Sequence, residues 1–272
     1  MNPSNAVQLP NDKAADALTK GYDAEAAAYL AYWAPVLHEP SLKLVDEIAT
    51  ASPERILDIG AGTGALFSVL ATRFPEAQIF GVDRSAGMLL QSRSGIPLAV
   101  MDALHLAFPN DLFDVALMCF VLFHFPDAVA GLGEASRVLK RGGTLCVSTW
   151  ASDIQSPAVD IWNELLEASG ADEVPRLANH DLMDSPDKVT DLLASAGFLS
   201  ARAATHEFVF QIRPDDFLNL RIQVGASSQR LQKLSNRSRL ELINCAREKF
   251  AEMSSEDFIL RMLIILASAH AP

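Results

Sequence analysis

From residue 55 onward, short apolar runs alternate with segments whose apolar positions recur at helical spacing. The runs predict five strands: RILDIG (55–60), QIFGVD (78–83), PLAVMD (97–102), FDVALMCFVL (113–122) and TLCVSTW (144–150). Helices are predicted between them at 63–74, through SAGMLLQSRS (85–94) and at 128–140. Strands that are apolar throughout and separated by helices indicate a parallel sheet covered on both faces. The pattern therefore predicts an α/β fold with a doubly wound, Rossmann-like, mostly parallel sheet.

The segments on either side of this alternation are mostly helical. Helical spacing covers residues 13–50, PAVDIWNELLEASG (157–170), PDKVTDLLASAG (186–197) and most of 214–250. ARAATHEFVFQI (201–212) and DFILRMLIILASA (257–269) predict two further strands, which bring the sheet to seven and give it a hairpin-like end. We expect a helical cap segment at 1–50, a ligand-binding core at 51–150, and a segment at 151–272 that completes the sheet. Cap insertions are expected at about 151–185 and 214–256.

Composition and charge narrow the range of partners. Half of the 272 residues are hydrophobic, and 22 Lys and Arg stand against 34 Asp and Glu, a net charge of −12. This balance argues against nucleic acid or an anionic membrane as the main partner. The three cysteines, Cys119, Cys146 and Cys245, form no C-x-x-C pair, so neither a disulfide framework nor a cysteine zinc site is expected. No signal segment is visible and the apolar stretch 258–269 is too short to span a bilayer, which favours a cytoplasmic protein without membrane insertion.

Three glycines at alternate positions, Gly60, Gly62 and Gly64, follow the first strand. A glycine-rich turn between a strand and the helix after it is where open α/β sheets bind nucleotides, because a ligand can approach the bare backbone there. Residues 60–65 also fit G-x-G-x-x-A, the dinucleotide fingerprint, so two ligand classes compete.

Acids at the ends of three successive strands distinguish the two classes. Asp58 lies just before the glycines, where a carboxylate repels a pyrophosphate and suits an ammonium or sulfonium cation. Asp83 ends the second strand, where it can accept hydrogen bonds from both ribose hydroxyls. Asp102 ends the third, where it can accept from an adenine amine. Together they describe a cationic adenosine without phosphates, and S-adenosylmethionine fits that description.

The core also resembles a known family. Its motifs are ILDIGAGTGALF (56–67), GVDRSAGML (81–89), VMDALHLAF (100–108), FDVALMCFVLFHFPD (113–127) and EASRVLKRGGTL (134–145). In this order they are similar to the class I S-adenosylmethionine-dependent methyltransferases, most of all to the small-molecule group (methyltransferase type 11) that includes the ubiquinone and menaquinone biosynthesis enzymes. The likeness covers residues 55–150. The sequence departs from the family at Phe123, where a second histidine is common, and at Arg141, where proline is usual.

The resemblance implies a set of cofactor contacts. The methionine moiety would be bordered by Asp58 and by the turn residues Gly60, Ala61, Gly62 and Gly64, with Cys119, Phe120 and His124 along its other side. The ribose would be held by Asp83. The adenine would be flanked by Arg84 and Met88, and its edge would meet Asp102 and Ala103. Six of these have a plainer interpretation: Asp58 and Asp83 as ordinary strand-end acids, Asp102 as a turn residue, Met88 as core, Cys119 as packing, and His124 as part of a hydrogen-bonded turn.

The predicted reaction is methyl transfer by in-line displacement, with S-adenosylhomocysteine as the other product. A general base is needed only if the acceptor holds its proton at neutral pH, and the scattered histidines predict no metal site. The loop CFVLFHF lacks the N-P-P-Y motif of enzymes that methylate adenine or amide nitrogen, so a small, apolar or aromatic metabolite is expected. The predicted catalytic residues are His124 and Tyr22, then His180. Further pocket candidates are Tyr29, Tyr32, Trp33, Trp150 and Arg221.

Several alternatives stay open from the sequence. The same fold and cofactor could serve a reaction without methyl transfer, such as a cyclisation. An NAD(P)-dependent oxidoreductase is a second alternative, which Asp58 opposes, and a non-catalytic partner subunit is a third. The methylated atom (O, N or C), the pathway and the oligomeric state, including a homo-oligomer, are not determined by the sequence.

Overall fold

Seven strands form one sheet in the computed structural model, which describes residues 11–171 and 179–272. The strands are β1 (Arg55–Ile59), β2 (Gln78–Asp83), β3 (Leu98–Val100), β4 (Phe113–Cys119), β5 (Leu139–Trp150), β6 (Leu199–Gln211) and β7 (Ile259–His270). Their order is β3-β2-β1-β4-β5-β7-β6. The first five are parallel, and β7 runs antiparallel to both β5 and β6. The predicted seven-stranded, doubly wound sheet with a hairpin-like end is confirmed.

Ten α-helices accompany the sheet in the described part of the chain. They are α1 (Asn11–Ala28), α2 (His38–Asp46), α3 (Phe67–Arg73), α4 (Ala86–Leu89), α5 (Ala128–Val138), α6 (Pro157–Ala168), α7 (Pro186–Ser195), α8 (Pro214–Gln223), α9 (Gly225–Lys233) and α10 (Asn236–Ala251). A π-helical turn, Tyr29–Trp33, continues α1, and 3-10 turns lie at Leu122–His124, His180–Leu182 and Ser255–Phe258.

The strand order places the carboxyl ends of β1, β2 and β4 side by side. β1 pairs with β2 on one edge and with β4 on the other. Ile56, Leu57 and Ile59 of β1 are fully buried, as expected for a central strand with helices on both faces. This point, where the chain reverses its direction of travel across the sheet, is where ligands bind in open α/β folds.

Several predicted boundaries are wrong. β3 ends at Val100, so Asp102 lies two residues beyond the strand that it was predicted to end, and β4 ends at Cys119 and not at residue 122. The helix predicted at 63–74 begins only at Phe67, because the glycine turn takes up the residues before it. The helix predicted at 85–94 is reduced to Ala86–Leu89. The helix predicted to reach residue 140 ends at Val138, and β5 begins there and includes Arg141. The reason is a long-range pairing, since the backbone N–H of Gly142 donates to the carbonyl of Ala271.

The helices expected to cap the sheet converge on its carboxyl edge. The N-terminal helix α1 packs against α4 and α8, and α8 packs against the π-helical turn Tyr29–Trp33. Residues 1–10 and 172–178 of the expected cap segments lie outside the described residues, and the division into core and cap remains a prediction. Within the described part of the chain, no helix combines the length and apolar character needed to cross a bilayer.

Candidate active site

The glycine turn after β1 requires glycine for two physical reasons. Gly60, Gly62 and Gly64 all have left-handed backbones, with φ of 77°, 53° and 79°. A Cβ on Gly60 would lie 2.4 Å from Cγ2 of Val121, and one on Gly64 would lie 2.6 Å from Cδ2 of Phe67. Both distances are well inside van der Waals contact. The chain therefore approaches its neighbours by its backbone alone at this turn.

Asp83 links the end of β2 to this turn. Its Oδ2 accepts a hydrogen bond from the N–H of Gly62 at 2.9 Å, and its Oδ1 accepts from the N–H of Ser85 at 2.8 Å. Burial raises the pKa of the Asp83 carboxyl above its ordinary value, although these backbone donors oppose the rise. Each oxygen keeps a further lone pair for a ligand. The carboxylate is thus held in a fixed orientation beside the glycines, where its predicted role toward a ribose remains a prediction.

Asp58 is an acid buried without a compensating partner. The residue is 1% exposed, and its Oδ1 is shielded from solvent with no hydrogen-bond partner among the described residues. Burial, and then the nearby Asp83 carboxylate, raise the pKa of Asp58 to about 7. A buried carboxylate normally pairs with a cation or a donor. A cationic ligand would satisfy it, so the site fits the ammonium-bearing nucleoside that the sequence predicts.

The residues predicted to contact the adenine lie near one another, but some of them also have local structural roles. Oδ1 of Asp102 accepts from the N–H of Leu104 at 3.0 Å, which agrees with the turn interpretation. Its Oδ2 lies 3.9 Å from Nε of Arg84, so these two predicted adenine neighbours are brought together. Ala103 is buried. Met88 is also buried, and a Cβ on Gly62 would lie 3.3 Å from its Cε, so it borders the glycine turn as well as the core.

The end of β4 is strained and aromatic. Phe120 has φ of 53°, a left-handed conformation that costs a non-glycine residue about 1–3 kcal/mol. Its N–H donates to both the carbonyl and the hydroxyl of Ser148, and its ring lies 5.0 Å from that of Trp150. Burial raises the pKa of the neighbouring Cys119 thiol to about 11. Cys119 therefore stays protonated, which favours the packing interpretation over a chemical role.

Tyr22 and His124 meet across this site. The hydroxyl of Tyr22 lies 2.9 Å from Nε2 of His124, and the two rings form an edge-to-face pair at 5.5 Å. Burial, and then the nearby His180, lower the pKa of His124 to about 3. Burial and then the Asp83 carboxylate raise the pKa of the Tyr22 hydroxyl above its ordinary value. Both groups are neutral near pH 7, and the two residues first predicted as catalytic are hydrogen-bonded.

His180, the third predicted catalytic residue, also lies in this cluster. Its ring stacks on Phe123 at 4.5 Å, and Phe123 packs against His124 at 4.3 Å. Phe123 is the position at which the resembling family commonly has a second histidine. An apolar ring therefore separates the two imidazoles here. Nδ1 of His124 is buried and has no hydrogen-bond partner among the described residues.

The other pocket candidates lie in two places. Trp33 stacks on Trp150 at 6.1 Å, which extends the aromatic surface of Phe120. The ring of Tyr29 lies 6.1 Å from that of Tyr22, and Tyr32 is partly buried against the core. Arg221 lies on α8, which packs against the π-helical turn Tyr29–Trp33, and its guanidinium covers the ring of Phe217.

Sequence reasoning missed two acids that fix α1 over the site. Oδ1 of Asp23 accepts from the hydroxyl of Ser85 at 2.6 Å and from the N–H of Gly87 at 2.8 Å. Oε2 of Glu25 accepts from the N–H of Gly225, the first residue of α9, at 2.7 Å. The only signal in the sequence is that both acids closely follow Tyr22 in an alanine-rich helix, and their partners are distant along the chain.

No metal-binding group is found in the residues that the structure describes. Across 11–171 and 179–272, no three His, Cys, Asp or Glu side chains are grouped as metal ligands would be.

Comparisons with known proteins identify the family that this chain is similar to. A family model described as a methyltransferase domain matches residues 57–147. The demethylmenaquinone methyltransferase of Corynebacterium kroppenstedtii is 37% identical over 114 residues, 42% of this chain and 49% of that protein. The malonyl-[acyl-carrier protein] O-methyltransferase of Geobacter sulfurreducens is 30% identical over 187 residues, 65% of this chain and 67% of that protein. This chain spans about half the length of the first curated relatives that it matches.

Solved structures share the fold. Phosphoethanolamine N-methyltransferase 2 of Haemonchus contortus, solved with S-adenosyl-L-methionine, superposes with a TM-score of 0.51 at 19% identity. The match covers 86% of this chain and 52% of that one. At this identity the likeness shows the fold alone.

Proposed function

Since the chain belongs to the class I S-adenosylmethionine-dependent methyltransferases, we propose that it methylates a small, apolar or aromatic metabolite held against Tyr22 and His124. Its cofactor is S-adenosylmethionine. The observation that carries the proposal is the 2.9 Å contact between Tyr22 Oη and His124 Nε2, beside the acids at the ends of β1 and β2. The two residues are 102 positions apart in the sequence, so it is the fold that brings them into contact.

The cofactor side of the site is formed by residues from β1, β2 and the glycine turn. Asp58 would accept the ammonium group, because its buried Oδ1 has no other partner among the described residues. Asp83 would accept from the ribose, because two backbone donors already hold its carboxylate in place. When bound, S-adenosylmethionine supplies a methyl group that is already activated for transfer, so the protein has mainly to align the acceptor and exclude water.

The acceptor side is formed by two neutral polar groups. Tyr22 holds Nε2 of His124, which leaves the buried Nδ1 for a polar atom of the acceptor. With a pKa of about 3, His124 takes up a proton at pH 7 only at a cost of about 5 kcal/mol. The pair is therefore better suited to orient an acceptor than to store its proton. This favours acceptors that are nucleophilic at neutral pH without a strong base.

The aromatic surface supports the proposal of an apolar or aromatic acceptor. Trp33, Trp150 and Phe120 present rings in sequence at 6.1 Å and 5.0 Å. Flat apolar molecules gain area burial and ring contacts on such a surface.

The test is a product analysis with methyl-labelled S-adenosylmethionine. The protein is incubated with a panel of small aromatic and aliphatic amines, phenols and enolisable ketones, and products are read by mass spectrometry. We expect an acceptor to gain the labelled methyl group while S-adenosylhomocysteine accumulates. The variant Tyr22→Phe should slow transfer, whereas Thr19→Ala, which removes a hydroxyl bonded within α1, should not.

Two other results would replace the proposal. Conversion of an acceptor without gain of the label, with the cofactor intact, would indicate a reaction such as cyclisation. Saturable binding of NAD(P) without binding of S-adenosylmethionine would indicate an oxidoreductase.

A further inference from the structure

Arg221 carries a positive charge without a paired anion. The residue is partly exposed, yet its Nε is shielded from solvent and has no hydrogen-bond partner in the described part of the chain. Among the described residues, no carboxylate forms an ion pair with its guanidinium and no acceptor bonds to it. Burial lowers its pKa to about 10, and no neighbouring charge contributes to that change.

Arg137, an arginine with a structural role in the same chain, differs from Arg221 in that all of its donors are paired. The guanidinium of Arg137 donates five hydrogen bonds, to both oxygens of Glu134, the side chain of Asn110 and the carbonyls of Phe108 and Leu106. That pattern satisfies a guanidinium completely, since it has five N–H donors. Arg221 has the same donors and none of the acceptors. An unpaired donor such as its Nε is costly to remove from water, so the partly exposed guanidinium is suited to a partner that binds from outside.

The position of Arg221 in the fold makes the methyl acceptor a candidate partner for its guanidinium. Its helix, α8, packs against the π-helical turn Tyr29–Trp33 and against α1. The ring of Tyr29 in this turn lies 6.1 Å from that of Tyr22, which is hydrogen-bonded to His124. Arg221 is therefore carried by a helix of the layer that packs over the proposed site.

The planar shape of the Arg221 guanidinium indicates which chemical group would bind it best. The ring of Phe217 covers one face of the guanidinium at 5.0 Å, which leaves its in-plane N–H donors for another partner. A planar fork of donors matches a carboxylate, which it can bind through two parallel hydrogen bonds. A single positive charge also balances one carboxylate and would leave half the charge of a phosphate dianion unpaired.

We propose that Arg221 binds a carboxylate of the methyl acceptor, so that the substrate class is apolar or aromatic carboxylic acids. The proposal rests on the function proposed above and narrows it. The carboxylate anchors the acceptor, and the methylated atom is a different one, because a carboxylate held by a guanidinium is a weakened nucleophile.

The experiment uses matched probes on the S-adenosylhomocysteine-loaded protein. Isothermal titration compares a panel of aliphatic and aromatic acids, including octanoate, benzoate and phenylacetate, with the primary amide of each. We expect at least one acid to bind about tenfold or more tightly than its amide, as a charge-assisted hydrogen bond implies. Arg221→Gln and Arg221→Met should lose that preference. Arg213→Gln should keep it, because Arg213 lies at the exposed start of the same helix and pairs with Asp216.

Each remaining outcome has a definite meaning. No preference for any acid over its amide, while S-adenosylhomocysteine still binds, would overturn the carboxylate proposal alone. Failure to bind S-adenosylhomocysteine at all would overturn the proposed function instead. Weaker S-adenosylhomocysteine binding in Arg221→Gln, with acid binding unchanged, would assign the arginine to the cofactor's own carboxylate. A ligand-free unfolding midpoint that falls in Arg221→Met would make Arg221 structural, whereas a binding group should leave it equal or higher.

Discussion

Replacing Asp58 with asparagine tests the electrostatic core of the site. The change keeps the size of the side chain and removes its ability to ionise. In the ligand-free protein the folded state favours the protonated acid, because burial holds the pKa of Asp58 at about 7. In the unfolded chain the same carboxyl has its ordinary pKa near 4.

The magnitude follows from these two pKa values. The folded pKa lies above the unfolded one, so stability is greatest below pH 4 and is lost as the pH rises to 7. Each pH unit in that range costs about 1.4 kcal/mol. Between pH 5 and pH 8 the parent should therefore lose about 3 kcal/mol of ligand-free unfolding free energy relative to Asp58→Asn. Asp83, the nearest acid, has a raised pKa as well and adds to the loss in the parent.

Cofactor binding should depend on pH in the opposite sense, since the affinity should rise as the pH rises. Asp58 must lose its proton to accept an ammonium group, so the affinity for S-adenosylhomocysteine should rise about tenfold per pH unit from pH 5 to 6.5. Isothermal titration in two buffers of different ionisation enthalpy should show release of about one proton at pH 6. Urea unfolding at pH 5, 6.5 and 8 measures the stability change.

The control is Asp114→Asn, at the opposite edge of the sheet. Asp114 accepts from the N–H groups of Glu54 and Arg55 and pairs with Lys140, and those contacts together lower its pKa. Its replacement should leave the pH dependence of cofactor binding unchanged. An affinity that does not vary with pH in the parent, or an equal slope in Asp58→Asn, would refute the reasoning.

Four further changes probe the rest of the site. Asp83→Ala should weaken cofactor binding by about 1.5–3 kcal/mol, the value of a charge-assisted hydrogen bond; calorimetry showing an unchanged Kd would contradict it. Gly62→Val should abolish that binding because a branched residue resists φ of 53°, whereas Gly133→Val, with open space around it, should not. Tyr22→Phe should lower turnover about tenfold or more and leave the Kd for S-adenosylhomocysteine unchanged; a parallel loss of both would indicate a structural role. Asp23→Asn should speed hydrogen exchange in α1, and equal protection in variant and parent would show that this contact does not hold the helix.

The sheet could be predicted because the sequence pattern of each strand is contained within the strand itself. Each strand of the core is a continuous apolar run, and each ends at a residue that the next helix or turn requires. The predicted boundaries were wrong where pairing partners are remote. β5 begins at Leu139 because Gly142 bonds to Ala271, and no spacing around residue 140 encodes that contact.

The candidate site residues could be nominated one by one but not as an arrangement. Asp58 and Asp83 could be nominated from the glycines between them, because all of these residues lie on one continuous segment, and their roles toward a cofactor stay predictions. Tyr22 and His124 are 102 positions apart, so the sequence could nominate each but could not pair them. The contacts of Asp23 with Ser85 and Gly87 were missed for the same reason.

Asp23 and Glu25 lie two positions apart on α1 and hold different parts of the molecule, the start of α4 and the start of α9. Tyr22 lies on the same helical turn. Because one turn of helix moves as a rigid body, a displacement of α1 should break both attachments and withdraw the phenol from His124 in a single motion. Under the proposed function we then expect release of the spent nucleoside and exchange of the acceptor to be coupled, and their order can be read from the rates at which each ligand leaves when the other is held in excess.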